Sequence, residues 1–232
     1  MYLLDQSVFQ PILLSLKVAL MATLFSLVIG LVLARLLTRK DFLGKSLLES
    51  LIILPMVLPP SVTGYLLLVL FGRHGFMGVF LKEHFGLQIV FTWLGAVLAS
   101  TIVSIPLMYQ NVKGAFLNVD HSYERAARTL GANDLRVFWT VTLPMAWTGI
   151  ISGLVLSFSR ALGEFGATLM VAGNIPGKTQ TIPLAIYFAV DSGDQKTANT
   201  LVLVITVFSL ILVYSLNLWL KRRNYSEKSK VS

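Results

Sequence analysis

Two stretches of this sequence hold residue types at spacings that suggest chemistry. Residues 172–179 read A-G-N-I-P-G-K-T. They differ at one position, Ala172 in place of a glycine, from G-x-x-x-x-G-K-[ST], a loop that cradles nucleotide phosphates. That pattern works where it follows a strand and opens a helix. Here it follows an apolar segment and runs into Thr181, Ile182 and Pro183, so no nucleotide site is expected. The second stretch holds Arg160 and Glu164, the only charge pair deep in an apolar segment. Four residues apart, they would share one helix face. Ionisable groups inside a membrane are costly and face a bundle interior or an aqueous cavity. Two readings stay open: a pathway or gate element whose Arg160 attracts an anion, or a mutually neutralising pair that locks its helix to its neighbours. His74 and His84 have no further ligand pattern around them, so they read as solvated loop residues and no metal site is expected. There is no cysteine, which excludes thiol chemistry and disulfides. No catalytic constellation is present.

The elements that position these residues are membrane helices. Of 232 residues, 55% are hydrophobic and 13% charged, with a mean hydropathy of +0.75. A soluble domain carries about 25% charged residues. The net charge of +8 does not point to nucleic acid. No basic face is interleaved with aromatics, and the lysines and arginines cluster beside apolar segments. The expected fold is an all-α integral membrane protein, one domain over 1–232 with five spans. They fall at about 11–37, 46–71, 89–112, 147–171 and 200–220, with a polar loop at 113–146. The first is long enough to cross a ~30 Å hydrocarbon core with tilt, and no cleavage site marks it as a signal peptide.

The second span is interrupted by Pro55, Pro59 and Pro60, each of which removes a backbone donor and disfavours helix before it. Two half-helices of about ten residues are expected. Discontinuous helices often mark transport sites, which makes Ser61 and Thr63 pathway candidates. A kinked helix packed on its neighbours is the alternative. Residues 72–88 read as a polar loop, 183–190 as an apolar piece too short to span, and the end of the chain as a polar tail.

Charge sets the orientation. The 35–45 loop, the 113–146 loop and the tail carry thirteen lysines and arginines, whereas the other side carries Arg73, Lys82, Lys178 and Lys196. The positive-inside rule then puts the amino terminus outside and the carboxyl terminus inside. Residues 172–179 fall outside the cell.

The loop itself is the most informative stretch. Residues 118–144 read N-V-D-H-S-Y-E-R-A-A-R-T-L-G-A-N-D-L-R-V-F-W-T-V-T-L-P. Tyr123, Ala126, Ala127 and Leu130 recur at helical spacing and make one apolar face. Gly131 suits the left-handed residue that ends a helix, and Asn133 suits the cap of the next. A surface anchor would carry more Trp, Phe and Leu bulk on its apolar face. Ala126, Ala127, a glycine four residues later and Leu143-Pro144 twelve residues after that resemble the cytoplasmic EAA loop of ABC importer permeases, with Val141 at the usual isoleucine. The family's glutamate position holds Arg125, and the glutamate stands one place earlier as Glu124. The resemblance implies a type I importer permease and a coupling helix docking on an ATPase subunit through Tyr123, Glu124, Ala126, Ala127, Leu130, Gly131, Leu143 and Pro144.

Residues 160–187 narrow the resemblance. G-E-F-G-A-T followed by N-I-P-G-K-T-x-T-I-P-L-A-I-Y is most similar to molybdate permeases, and sulfate and thiosulfate permeases share L-G-E-F-G-A. The resemblance implies a multi-pass subunit of the bacterial cytoplasmic membrane, half of a homodimeric path for an oxyanion. Molybdate is the first expectation, with tungstate, sulfate or thiosulfate as alternatives. Its implied partners are two ATPase subunits and an external molybdate-binding protein. It has no cofactor. A membrane scaffold or channel acting without an ATPase is one other class, which would leave the alanine-face loop unexplained; a secondary transporter is another. It would need an ion-coupling site, and inverted repeats are common in it; the sequence shows no repeat.

Overall fold

The computed structural model describes residues 6–39 and 41–228, with side chains up to residue 221. Lys40, the side chains of Arg222 and Arg223 and the end of the polar tail lie outside the described residues. The described chain contains helices and connecting segments. These are α1 (Gln6–Arg39), α2 (Lys45–Val57), α3 (Pro60–Phe71), α4 (Phe76–Phe85), α5 (Trp93–Leu117), α6 (His121–Thr129), α7 (Asp134–Val137), a π-helical turn (Phe138–Thr142), α8 (Leu143–Met145), α9 (Trp147–Leu162), α10 (Gly166–Ala172), α11 (Ile182–Asp191) and α12 (Gln195–Lys228).

Helix α5 is the axle of the bundle. It packs on α1, α9, α10 and α2. Gly95, Ala96, Ala99, Ser100 and Ser104 let neighbouring backbones come close, which is how helices associate where no hydrophobic drive exists between them. At the α1 contact, a Cβ on Gly30 would lie 2.6 Å from Met108 Cγ. Ser26 and Ser104 share a hydrogen bond of 2.8 Å across the same seam. One apolar core joins Ala34, Leu37, Met108, Val112, Phe116 and Ile150. A second joins Leu67, Val90, Val103, Ala167 and Val171. The opposite face of α1, with Leu13, Leu20, Leu24 and Val28, is exposed, as a lipid-facing stripe would be.

Three helices are long and apolar enough to cross a membrane: α1, α5 and Gln195–Lys221. Two bent pairs bring the number to as many as five, if each counts as one span. They are α2 with α3, bent by 114°, and Asp134–Met145 with α9, bent by 70°. The α2–α3 break falls at Leu58 and Pro59, where Pro60 takes the first helical position and needs no donor. Pro55 breaks nothing and stays inside α2.

The helices differ from the sequence reading at 72–88 and at 147–171. The stretch read as a polar loop at 72–88 contains helix α4, entered at Gly75 and closed by Gly86 with φ +64°. The stretch read as one span at 147–171 is two helices, α9 and α10, separated at residues 163–165. Helix α10 leans on α3 and α5. A Cβ on Gly64 would lie 2.8 Å from the Cα of Ala167 and 2.8 Å from Met170 Cβ. Backbone cannot yield as a side-chain tip can, so Gly64→Val is expected to cost about 1–3 kcal/mol. The intrinsic tryptophan melting midpoint should fall in that variant, whereas Leu66→Val, at an exposed position of the same helix, should leave it unchanged.

Candidate functional site

The 118–144 loop is built from short-range capping. Asp120 ends the preceding turn and accepts a hydrogen bond from Ser122 N at 2.8 Å, which starts α6. Gly131 has φ +84° and ends it. Asn133 accepts from Arg136 N at 2.8 Å and starts α7. The short helices joined through Gly131 and the Asn133 cap match what the spacing predicts.

The two sides of α6 have opposite fates. Tyr123 and Ala126 are exposed, Ala127 is half-buried, and Leu130 is 89% exposed. Leu135 and Trp139 add further exposed apolar surface to the same loop. Sequence reasoning passed over these two. Their apolar character inside a polar loop was the available signal. Glu124 points the other way and is 8% exposed. It accepts a short hydrogen bond from the Thr142 hydroxyl and pairs with Arg128 at 3.5 Å. Arg128 Nε also meets Asp134 at 3.1 Å, and Arg39 meets the same carboxylate at 3.5 Å. Arg35 donates to the Asp134 carbonyl at 3.3 Å and lies 4.2 Å from the Phe138 ring centroid. The end of α1 is thereby tied to α6, α7 and the π-helical turn. Leu143 packs inward on the first core, while Pro144 and Gly131 remain exposed.

Burial pushes the Glu124 carboxyl up, but the Thr142 hydroxyl and the charges of Arg128, Arg39 and Arg35 outweigh it and hold it below its ordinary value. The hydrogen bond from Arg128 and the charge of Arg39 likewise hold the exposed Asp134 carboxyl low.

A second cluster lies where α9 stops. Arg160 Nη1 donates to Glu164 Oε2 at 2.6 Å, and Glu164 Oε1 accepts from Ala167 N at 2.8 Å. Glu164 therefore sits beyond the last turn of α9, in the link to α10, and not on one helix face with Arg160 as the spacing suggested. It is buried, whereas the Arg160 side chain is partly exposed. The first turn of α3 lies against this link. A Cβ on Gly166 would be 3.0 Å from Pro60 Cβ and 3.3 Å from Ser61 N. Ser61 is exposed and Thr63 is 4% exposed. The hydroxyls of Thr63 and of Thr168 on α10, a residue the sequence reading did not single out, are buried with no hydrogen-bond partner among the described residues.

The stretch 172–179 folds on itself. Ile175 N donates to Thr179 Oγ1 at 2.9 Å, and that hydroxyl lies 3.2 Å from the Gly173 carbonyl. It connects α10 to α11, and among the described residues no strand precedes it.

A family model for the inner membrane component of binding-protein-dependent transport systems matches residues 26–224. The chain belongs to that family. The molybdenum transport system permease protein ModB of Escherichia coli strain K12 is 48% identical over 213 residues, covering 92% of this chain and 93% of that protein. The sulfate transport system permease protein CysT of Salmonella typhimurium is 40% identical over 203 residues, covering 88% and 73%. The MetNI methionine ABC transporter, solved in inward-facing conformations, superposes with a TM-score of 0.70 over 96% of each chain at 17% identity, and so shares the fold. As a member of this family the chain is a permease subunit of the inner membrane. It is not itself the catalytic component.

The brace at Glu124 has a pH signature. Its folded value is held below the ordinary glutamate value, so the stabilisation it gives is full well above that ordinary value and is lost as pH falls through the lower, folded one. Hydrogen exchange of amides 121–137 should therefore accelerate, relative to those of α5, on acidification below that point. Glu124→Gln should exchange faster at neutral pH and keep only the part of this pH dependence that Asp134 carries.

Proposed function

We propose that this chain is the translocating subunit of an ATP-driven importer of molybdate, working as half of a homodimer. The observation that carries this reading is the exposed apolar side of α6, held outward by a charged brace on its buried side. A helix with no anchor bulk and a rigid base suits a protein groove. An ATPase subunit would bind there, one copy per permease. The charge bias supports the external amino terminus, and the family resemblance supports five spans and an external binding protein. Nucleotide hydrolysis is assigned to the partner, because the 172–179 turn uses its own threonine hydroxyl internally and among the described residues has no strand before it.

The mechanism is alternating access. Closure of the ATPase dimer moves α6, and the brace through Glu124, Arg128 and Asp134 passes that motion to α1 and α5 as a unit. The cavity then opens outward and receives the oxyanion. We assign its path to Ser61, Thr63, Arg160 and Glu164. Arg160 supplies a positive charge at the α9–α10 link, whose Gly166 lies against the first turn of α3. Glu164 holds Arg160 and leaves no free negative charge in the link.

Molybdate is favoured over sulfate by the higher identity and fuller coverage of the molybdenum permease. Labelled molybdate uptake should require this chain and persist under excess sulfate. Collapse under sulfate would move it to the sulfate class, and uptake driven by an ion gradient without ATP would make it a secondary transporter. Ala127→Asp and Gly131→Asp should each lower uptake by about tenfold or more, since a charge in a close contact costs over 1.4 kcal/mol. The loss should come with ATPase activity that no longer responds to the binding protein. Ser61→Leu with Thr63→Val should lower uptake while leaving ATPase association intact. Full uptake in these variants would remove the docking and pathway assignments respectively.

A further inference from the structure

A cavity of about 660 Å³ opens between the end of α3, helix α4 and residues 87–91. It lies at the end of α5 opposite the 118–144 loop. Its walls are of two kinds. Leu68, Phe71, Leu81, Ile89 and Val90 are apolar, whereas Arg73 and Lys82 bring cationic groups, beside the His74 ring, to one cavity. No carboxylate lines it, although Glu83 follows Lys82 in sequence. Among the described residues, neither Arg73 nor Lys82 has an ion-pair partner within the chain.

The length and composition of helix α4 suit a water–lipid boundary. Its ten residues reach about 15 Å at ~1.5 Å per residue, half of a hydrocarbon core. Yet Phe76 is 79% exposed, and Phe80 and Phe85 are also open. A short helix with exposed aromatics and basic residues lies in the interface plane. The cavity is thus bounded by an interfacial helix, with an apolar wall and an unneutralised cationic lining.

We propose that this cavity binds an anionic phospholipid of the leaflet opposite the coupling loop, with the phosphate at Arg73 and Lys82 and the upper acyl chain along Leu68, Phe71 and Leu81. The two kinds of wall decide for an amphiphile. A small free oxyanion would satisfy the cations, but it gains nothing from the apolar side and loses hydration there. A neutral lipid would cover the apolar side and leave the cations unpaired. An anionic lipid meets both, through charge-assisted hydrogen bonds to phosphate and buried acyl surface. The bound lipid fills the gap under α4 and holds that helix to the α3–α5 connection. The site does not depend on which substrate the transporter carries.

The test is native mass spectrometry of the intact, delipidated transporter complex titrated with phosphatidylglycerol or phosphatidylcholine. Phosphatidylglycerol should be retained about tenfold better, as expected where each nearby basic residue contributes on the order of a kcal/mol. The double variant Arg73→Ala, Lys82→Ala should lose that preference, and Arg73→Lys with Lys82→Arg should keep it. Lys82 is exposed on α4, so Lys82→Glu tests the same point in a chain whose packing is untouched, and it too should lose the preference. Equal retention of the two lipids, or an unchanged preference in Lys82→Glu, overturns the proposal. Millimolar molybdate should not displace the lipid. Displacement would make this a soluble-oxyanion site and overturn the lipid assignment.

Discussion

A helix that stops inside an apolar bundle strands backbone groups where no water can reach them. Glu164 resolves this at the break between α9 and α10. One carboxylate oxygen takes the Ala167 amide, the other takes Arg160. The break allows α10 to turn against α3, and the pairing of Gly64 and Gly166 with α10 and α3 lets those two short helices approach almost backbone to backbone. Without the carboxylate, an unpaired arginine and an open helix end would share one apolar pocket. The pair locks the end of α9 to the start of α10.

The same arrangement recurs, in a wetter setting, at the other glutamate. Glu124 also joins elements that the chain separates, through Thr142 and Arg128. Arg39 and Arg35 extend that brace to the end of α1. Rigid attachment matters for a loop that transmits force, because slack at its base would absorb any displacement of its tip. The glutamate shifted by one place relative to the family pattern is on the inner side of α6, which leaves Arg125 in the conventional place to face outward. The small and apolar outer side is unaffected.

Much of this was legible in the chain. The helical period of Tyr123, Ala126, Ala127 and Leu130, the glycine at 131 and the cap at Asn133 act over a few residues, so sequence order alone specifies them. The break at Pro59 and Pro60 is equally local. What escaped was set by partners distant in sequence. Nothing near Gly163 announces a helix end, because the capping group is a glutamate whose periodicity also fits a continuing helix. Helix α4 was hidden by its flanking glycines and by a basic, mixed composition that reads as loop. Thr168 is notable only once α3 and α10 are known to touch.

Helix α12 stands apart from the bundle. Only 6% of its apolar stretch is buried, and its main neighbour is α11, joined through Leu201 to Ile182 and Ala185. Helix α11 is in turn anchored to α1, where Ser15 Oγ lies 2.7 Å from the Ile182 amide. All the heavier seams lie between helices made earlier in synthesis. The bundle around α5 can therefore close before α12 emerges from the ribosome, and α12 needs only a finished flank to lean on. Among the described helices, α12 is the one least required by the packing of the rest.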